Sequence, residues 1–172
     1  MQFAKGITSG YVPLGGIGVS DRVRDVINGV PPAKRWMHAY TYSGHPTCCA
    51  VGLKNIEIME RERLWERAAA MGKRLHDNLH AAFGDHKHVG DIRSGKGLLA
   101  AIELVEDKAT KAPFAADKKV GPRVLQEMAK RGVMTRARLE HIFFSPPLVI
   151  SEAEVDRLVS VTGDALKAVT GV

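Results

Sequence analysis

The chain has 172 residues, 45% hydrophobic and 26% charged, an ordinary composition for a globular protein with one good-sized core or two small ones. No apolar run approaches the ~20 residues of a membrane span, and no signal-peptide core stands near the start, so a cytoplasmic protein that neither enters nor anchors to a membrane is expected. A net charge of +6 would suit nucleic acid, but the basic residues alternate with acids (Arg61-Glu62-Arg63, Glu66-Arg67, Lys73-Arg74 with Asp77) and aromatics are only 6%, the pattern of a solvated mixed-charge face with no nucleic-acid partner.

In chain order, the Gly- and Pro-rich opening carries one short apolar run, Leu14 to Val19, which reads as a buried strand. Ser20 or Asp21 then caps a short helix to about Ile27. Cys48 and Cys49, adjacent and unsuited to an easy bridge, read as small buried thiols of a reducing compartment. From Pro46 the period becomes helical, with one segment to Arg61 and a second stripe at Leu64, Ala68, Met71, Leu75 and Leu79 that ends at Gly84. Leu98 to Val105 is a strand-length apolar run, and Gly90 to Gly97 before it reads as a tight linking turn. A helix opening at Pro113 to Ala116 carries Val120, Val124, Leu125 and Met128 to Gly132, with Pro122 either in its true first turn or bending it. Two short strands follow at Val133–Arg136 and Ile142–Phe144, and Ser151-Glu152-Ala153-Glu154 is a capping box for a final amphipathic helix. The layout is α/β or α+β, with a boundary inside or just before the Leu64 to Leu79 helix.

Chemistry concentrates at three places along this layout. Lys5 lies in Phe3-Ala4-Lys5-Gly6-Ile7-Thr8-Ser9-Gly10-Tyr11-Val12-Pro13-Leu14-Gly15. A lysine held partly desolvated can lose its proton and act as a covalent catalyst. The segment resembles the lysine loop of the class III aminotransferases, pyridoxal phosphate enzymes of fold type I. Tyr40-Thr41-Tyr42-Ser43-Gly44-His45-Pro46 resembles the hydroxyl-rich turn that follows that loop, and Asp91 to Leu99 with Ile102-Glu103-Leu104 looks like the family's link into its C-terminal domain. Gly132 to Arg136, Ile142 and Ser145-Pro146-Pro147-Leu148 are similar to the closing unit of the omega-amino acid and amine:pyruvate branch.

The resemblance implies an α/β fold: the end of a large domain with the lysine loop over residues 1–65, then a small C-terminal α+β domain over 66–172. It implies pyridoxal 5'-phosphate as cofactor, Lys5 as its Schiff-base lysine and proton carrier, and Thr41 reaching the cofactor phosphate of a neighbouring subunit in a homodimer. Arg136 falls on the arginine that binds a substrate carboxylate and swings aside for an amine, a task suited to its planar fork. Arg138 would point the same way along a strand, so the choice between the two rests on motif spacing. The implied reaction moves an amino group from an amine or omega-amino acid to a keto acid such as pyruvate.

Relative to that family the chain lacks the N-terminal arm, the phosphate-binding turn, the stacking aromatic and the acid that protonates the ring nitrogen, so a truncated chain inactive by itself is expected. The alternative is a non-catalytic folding or dimerisation module with unusually apolar surfaces. Without the resemblance, Lys5 would be a surface lysine, Thr41 a turn hydroxyl and Arg136 a strand charge. Gly95-Lys96 sits in a partial P-loop match that has glycine where a magnesium-holding hydroxyl belongs, which disfavours nucleotide binding. His76, His80, His86 and His88 read as exposed helical and turn residues and not as a zinc site, and His45 as a turn-packing residue. Tyr11 either lines the cofactor pocket or packs on the lysine loop.

Overall fold

The stripe from Leu64 onward forms a helix of 20 residues, Leu64–Phe83, whose buried positions Leu64, Leu75, Leu79 and Phe83 lie on one face. The computed structural model describes all 172 residues, Met1–Val172. Their contacts group into two units, Met1–Arg63 and Leu64–Val172, and this helix opens the second.

In the first unit, β1 (Gln2–Ala4) and β2 (Gly15–Ile17) pair antiparallel, Gln2 with Ile17 and Ala4 with Gly15. A single 3-10 turn, Lys5–Thr8, leaves the end of β1. Helices α1 (Asp21–Gly29) and α2 (Pro46–Arg61) follow, joined through a second 3-10 turn at Pro32–Lys34. Ser20 stands at the cap position of α1 without a side-chain cap bond; Asp21 pairs with Arg24 instead. Cys48 and Cys49 are free and half-buried, less enclosed than expected, because they lie in the first turns of α2.

The second unit comprises α3 (Leu64–Phe83), β3 (Val89–Lys96), β4 (Leu99–Leu104), α4 (Val120–Lys130), β5 (Arg136–Arg138), β6 (His141–Phe144) and α5 (Glu152–Thr170). Its four strands form one antiparallel sheet in the order β3-β4-β6-β5. Alternation sends Ala100, Ile102 and Leu104 of β4 and Ile142 and Phe144 of β6 inward, where they join Leu75, Leu79, Val124, Met128, Val155 and Leu166 from the helices in one core. Helices α3 and α4 contact the strands, and α5 packs on both. Arg74 of α3 grips Asp156 of α5 through paired bonds of 2.8 and 2.7 Å, which sets the two helices in register.

The run from Leu14 to Val19 is no buried strand, since only Gly15–Ile17 pairs and Ile17 and Val19 are exposed, and three more expectations change. Gly90 to Gly97 is no linking turn: β3 is an eight-residue edge strand paired with β4, and Gly97 closes their hairpin. The strand expected over Val133–Arg136 begins only at Arg136, because the backbone N–H of Val133 donates to the carbonyl of Met128 at 3.0 Å and Gly132 adopts φ +79 to close α4. The helix expected from Pro113 to Ala116 is a 3-10 turn at Ala116–Lys118 followed by α4 proper, which places Pro122 in the first turn of α4, where its missing N–H costs no helical bond. The capping box at Ser151 forms as read, with Ser151 and Glu154 each bonding the other's backbone N–H.

Candidate active site

Lys5 is the first residue after β1, and its backbone has φ +53, the left-handed region that costs a non-glycine residue about 1–3 kcal/mol. The loop around it supplies the compensation. The N–H of Gly10 donates to the carbonyl of Lys5 at 3.3 Å, and the buried hydroxyl of Thr8 donates to the carbonyl of Val12 at 2.7 Å. From α2, the Asn55 amide donates to the carbonyls of Gly6 and Ile7 at 3.0 and 3.2 Å, bracing the turn from 48 residues downstream of Ile7. The Lys5 ammonium is exposed and has neither a carboxylate nor a hydrogen-bond partner. The backbone is clamped and the amine is accessible to a carbonyl, but it is exposed where partial desolvation is expected.

Thr41 opens the turn Thr41–Gly44 that leads into α2. The turn is held by the N–H of Tyr40 donating to Ser43 Oγ at 3.0 Å and the N–H of His45 donating to the carbonyl of Tyr42 at 3.1 Å. These bonds leave the Thr41 hydroxyl free, and His45 at the cap position of α2 makes no side-chain cap bond, so the hydroxyl and the first-turn N–H groups remain donors for an anion. Lys5 and Thr41 therefore both lie in loops that abut α2, at its middle and at its start. Tyr11 packs on neither side of the lysine loop, its ring being 84% exposed, and His45 meets Tyr42 edge-on at 6.2 Å.

Arg136 belongs to the second unit. It opens β5, lies directly across from Phe143 and is exposed on the sheet face that the helices leave uncovered. It lines two cavities, one of about 480 Å³ toward Pro146, Pro147 and Arg157 and one of about 790 Å³ toward Arg93 and Ala101. Arg138 projects from the same face two residues on, opposite His141, and lines the larger cavity alone of the two. Lys96 closes β3 and is followed by a hairpin, so no helix N-terminus completes a phosphate cradle there. His76 Nδ1 lies 2.7 Å from Ser94 Oγ, and His88 Nδ1 lies 3.0 Å from the carbonyl of Val105, both of them structural contacts; no His, Cys, Asp or Glu cluster of metal-binding size forms.

A family model described as aminotransferase class-III matches residues 1–166. The chain belongs to the class III aminotransferases. It is 41% identical to a diaminobutyrate–2-oxoglutarate transaminase of Halomonas elongata over 99% of the chain and 37% of that relative, and 37% identical to a putrescine–pyruvate aminotransferase of Pseudomonas aeruginosa over 96% of the chain and 35% of that relative. Among solved structures it resembles an (S)-enantioselective omega-transaminase from Thermomicrobium roseum, at 45% identity and a TM-score of 0.90 over 98% of the chain and 37% of that structure. A transaminase from directed evolution by ancestral reconstruction superposes at a TM-score of 0.94 with 43% identity, covering 99% of the chain and 38% of that protein. The chain thus spans a little over a third of the class III aminotransferases it matches, in the fold of their C-terminal portion. The family depends on pyridoxal phosphate. An unpartnered lysine amine on a braced turn fits that cofactor's aldehyde, and the free Thr41 hydroxyl with the uncapped donors of α2 fits a phosphate.

Asn55 and Thr8 were not identifiable as supports of the lysine from sequence. Their partners are backbone carbonyls, which leave no residue-type signature, and for Asn55 they lie 48 and 49 residues away.

Proposed function

We propose that this chain carries the lysine, the phosphate-contacting threonine and the carboxylate-binding arginine of an aminotransferase that moves an amino group from an amine or omega-amino acid to a keto acid such as pyruvate. When bound, pyridoxal phosphate supplies the electron sink that lets the substrate's Cα–H bond break. With the cofactor bound, Lys5 would hold its aldehyde through the free amine and, once released by an incoming amine, would serve as the base and acid that moves the substrate's Cα proton. Thr41 donates its hydroxyl to the phosphate of a neighbouring subunit in a homodimer. Arg136 holds the carboxylate of the acceptor through its fork, and the two cavities on either side of it give the side chain room to turn away from an apolar amine. Residues 1–65 act as the cofactor-side portion and 66–172 as the small domain, and these 172 residues alone capture cofactor without turning amines over.

The single observation that carries this reading is the unpartnered Lys5 amine on a left-handed, Asn55-braced backbone. Mixing the chain with pyridoxal phosphate, fixing the adduct with borohydride and mapping it by peptide mass spectrometry tests it. One dominant adduct at Lys5, absent from Lys5→Ala, is expected; adducts spread evenly over the surface lysines would overturn it. Dimerisation has its own support in the first unit, where no apolar side chain is buried while Tyr11, Met37 and Tyr42 are each more than 80% exposed. Sedimentation equilibrium of the chain should show a dimer that Met37→Lys weakens.

A further inference from the structure

The uncovered face of the second unit's sheet holds more positive charge than one carboxylate needs. Two cross-strand rows run over it, Arg93-Ala101-Phe143-Arg136 and Asp91-Glu103-His141-Arg138. The cavity of about 790 Å³ on this face is lined by Arg93, Lys96, Arg136 and Arg138 and by no carboxylate. Arg93 is already matched, by Asp91 at 2.9 Å and by Glu103. Glu103 lies also 3.6 Å from His141, so the acids of this face, Asp91 and Glu103, are engaged and leave Arg136 and Arg138 unpaired. Residues two apart on a strand share a face at a Cα spacing of about 7 Å, which sets two guanidinium forks side by side. Ala101 and Phe143 continue the Arg136 row across the sheet and line the same cavity, an apolar surface beside the two forks that suits a short methylene chain.

We infer that Arg138 is a specificity residue that binds the distal carboxylate of a 2-oxo dicarboxylate whose first carboxylate is held by Arg136, so that acids with two carboxylates are the preferred amino acceptors. This deepens the aminotransferase reading and rests on it for the role of Arg136. Pyruvate, with one carboxylate, engages Arg136 alone and leaves Arg138 in water. Lys96 lines the same cavity from β3, at the opposite edge of the sheet, and contributes only to the general field.

The test titrates 2-oxoglutarate and pyruvate separately into the full 172-residue chain without cofactor, following amide chemical shifts of the cavity residues. We expect 2-oxoglutarate to bind about tenfold more tightly than pyruvate, as one added charge-assisted fork contact gives. Arg138→Gln should abolish that preference while leaving pyruvate within about twofold, Arg138→Lys should retain part of it, and Arg136→Gln should weaken both acids. Equal loss for both acids in Arg138→Gln, the same pattern in Lys96→Gln, equal competition by inorganic phosphate, or no shift with either acid would each overturn the inference. Because the readout lies in the second unit and needs no cofactor, it can fail while Lys5 still captures pyridoxal phosphate, and the reverse.

Discussion

The two units of this chain solve the problem of holding a functional side chain in opposite ways. The second sets Arg136 and Arg138 on a sheet whose other face closes a core including Leu79, Ile102, Met128, Ile142 and Phe144, each 2% exposed or less. The first buries no apolar side chain; only Thr8 and Gly52 are enclosed, and Lys5 is held by hydrogen bonds from Asn55 and within its own loop. A core fixes a strand through many nonspecific contacts, whereas a hydrogen-bonded turn fixes one backbone conformation with few. The lysine loop is therefore locally ordered without a core of its own, and its exposed apolar residues are surface awaiting cover.

Truncation should separate the units most strongly. Ile102→Ala or Leu79→Ala is expected to cost about 2–5 kcal/mol in urea unfolding, whereas Leu53→Ala in α2, at 70% exposure, should stay within about 0.5 kcal/mol. Comparable losses at all three positions would show that the first unit has a core after all. Next comes the same substitution at two helical glycines. A Cβ at Gly72 would sit 2.2 Å from the carbonyl oxygen of Gly97, a backbone atom, and Gly72→Ala should cost about 1–3 kcal/mol. At Gly52 the nearest atom is the tip of Leu14, 2.9 Å away and free to turn, so Gly52→Ala should stay within about 1 kcal/mol of neutral by thermal denaturation.

Helix starts give a smaller contrast. Ser151→Ala removes a formed capping box and should cost about 1 kcal/mol, while Ser20→Ala removes no cap bond and should leave the melting temperature unchanged. The smallest effect is electrostatic. Bonds from Lys130 and Arg131 hold the Glu127 carboxyl at about 2, below its ordinary 4.5, so its contribution is present above pH 4.5 and is lost as the pH falls through about 2. Glu127→Gln should flatten that part of the acid limb of the urea midpoint; an unchanged limb would show that its exposed ion pairs contribute nothing measurable.

Much of the fold was legible because it rests on local rules. The stripe from Leu64 to Leu79, the run before Val105 and the Ser151 box each write their structure in period or cap chemistry. Strand β3 was hidden because two register shifts, between Val89 and Asp91 and between Arg93 and Lys96, break its alternation, and its glycines and charges form a strand only when β4 is there to pair. The displaced start of β5 has a similar origin: Gly132 and Val133 are consumed in closing α4, a bond that only the folded helix defines.

Lys5, Thr41 and Arg136 could be named as candidates from motif order, and the composition of the chain determined by itself that one part is rich in turns while the other can close a core. Tertiary structure alone decided how those residues are supported. Asn55 reaches the lysine turn only because α2 folds back on it, and Arg136 and Arg138 of β5 share a cavity with Arg93 and Ala101 only because β6 joins their strand to β4 and β3. Residue type sets which chemistry a side chain can perform, but its support and its neighbours come from elements distant in sequence, and those are brought together by packing and backbone pairing that carry no local signature.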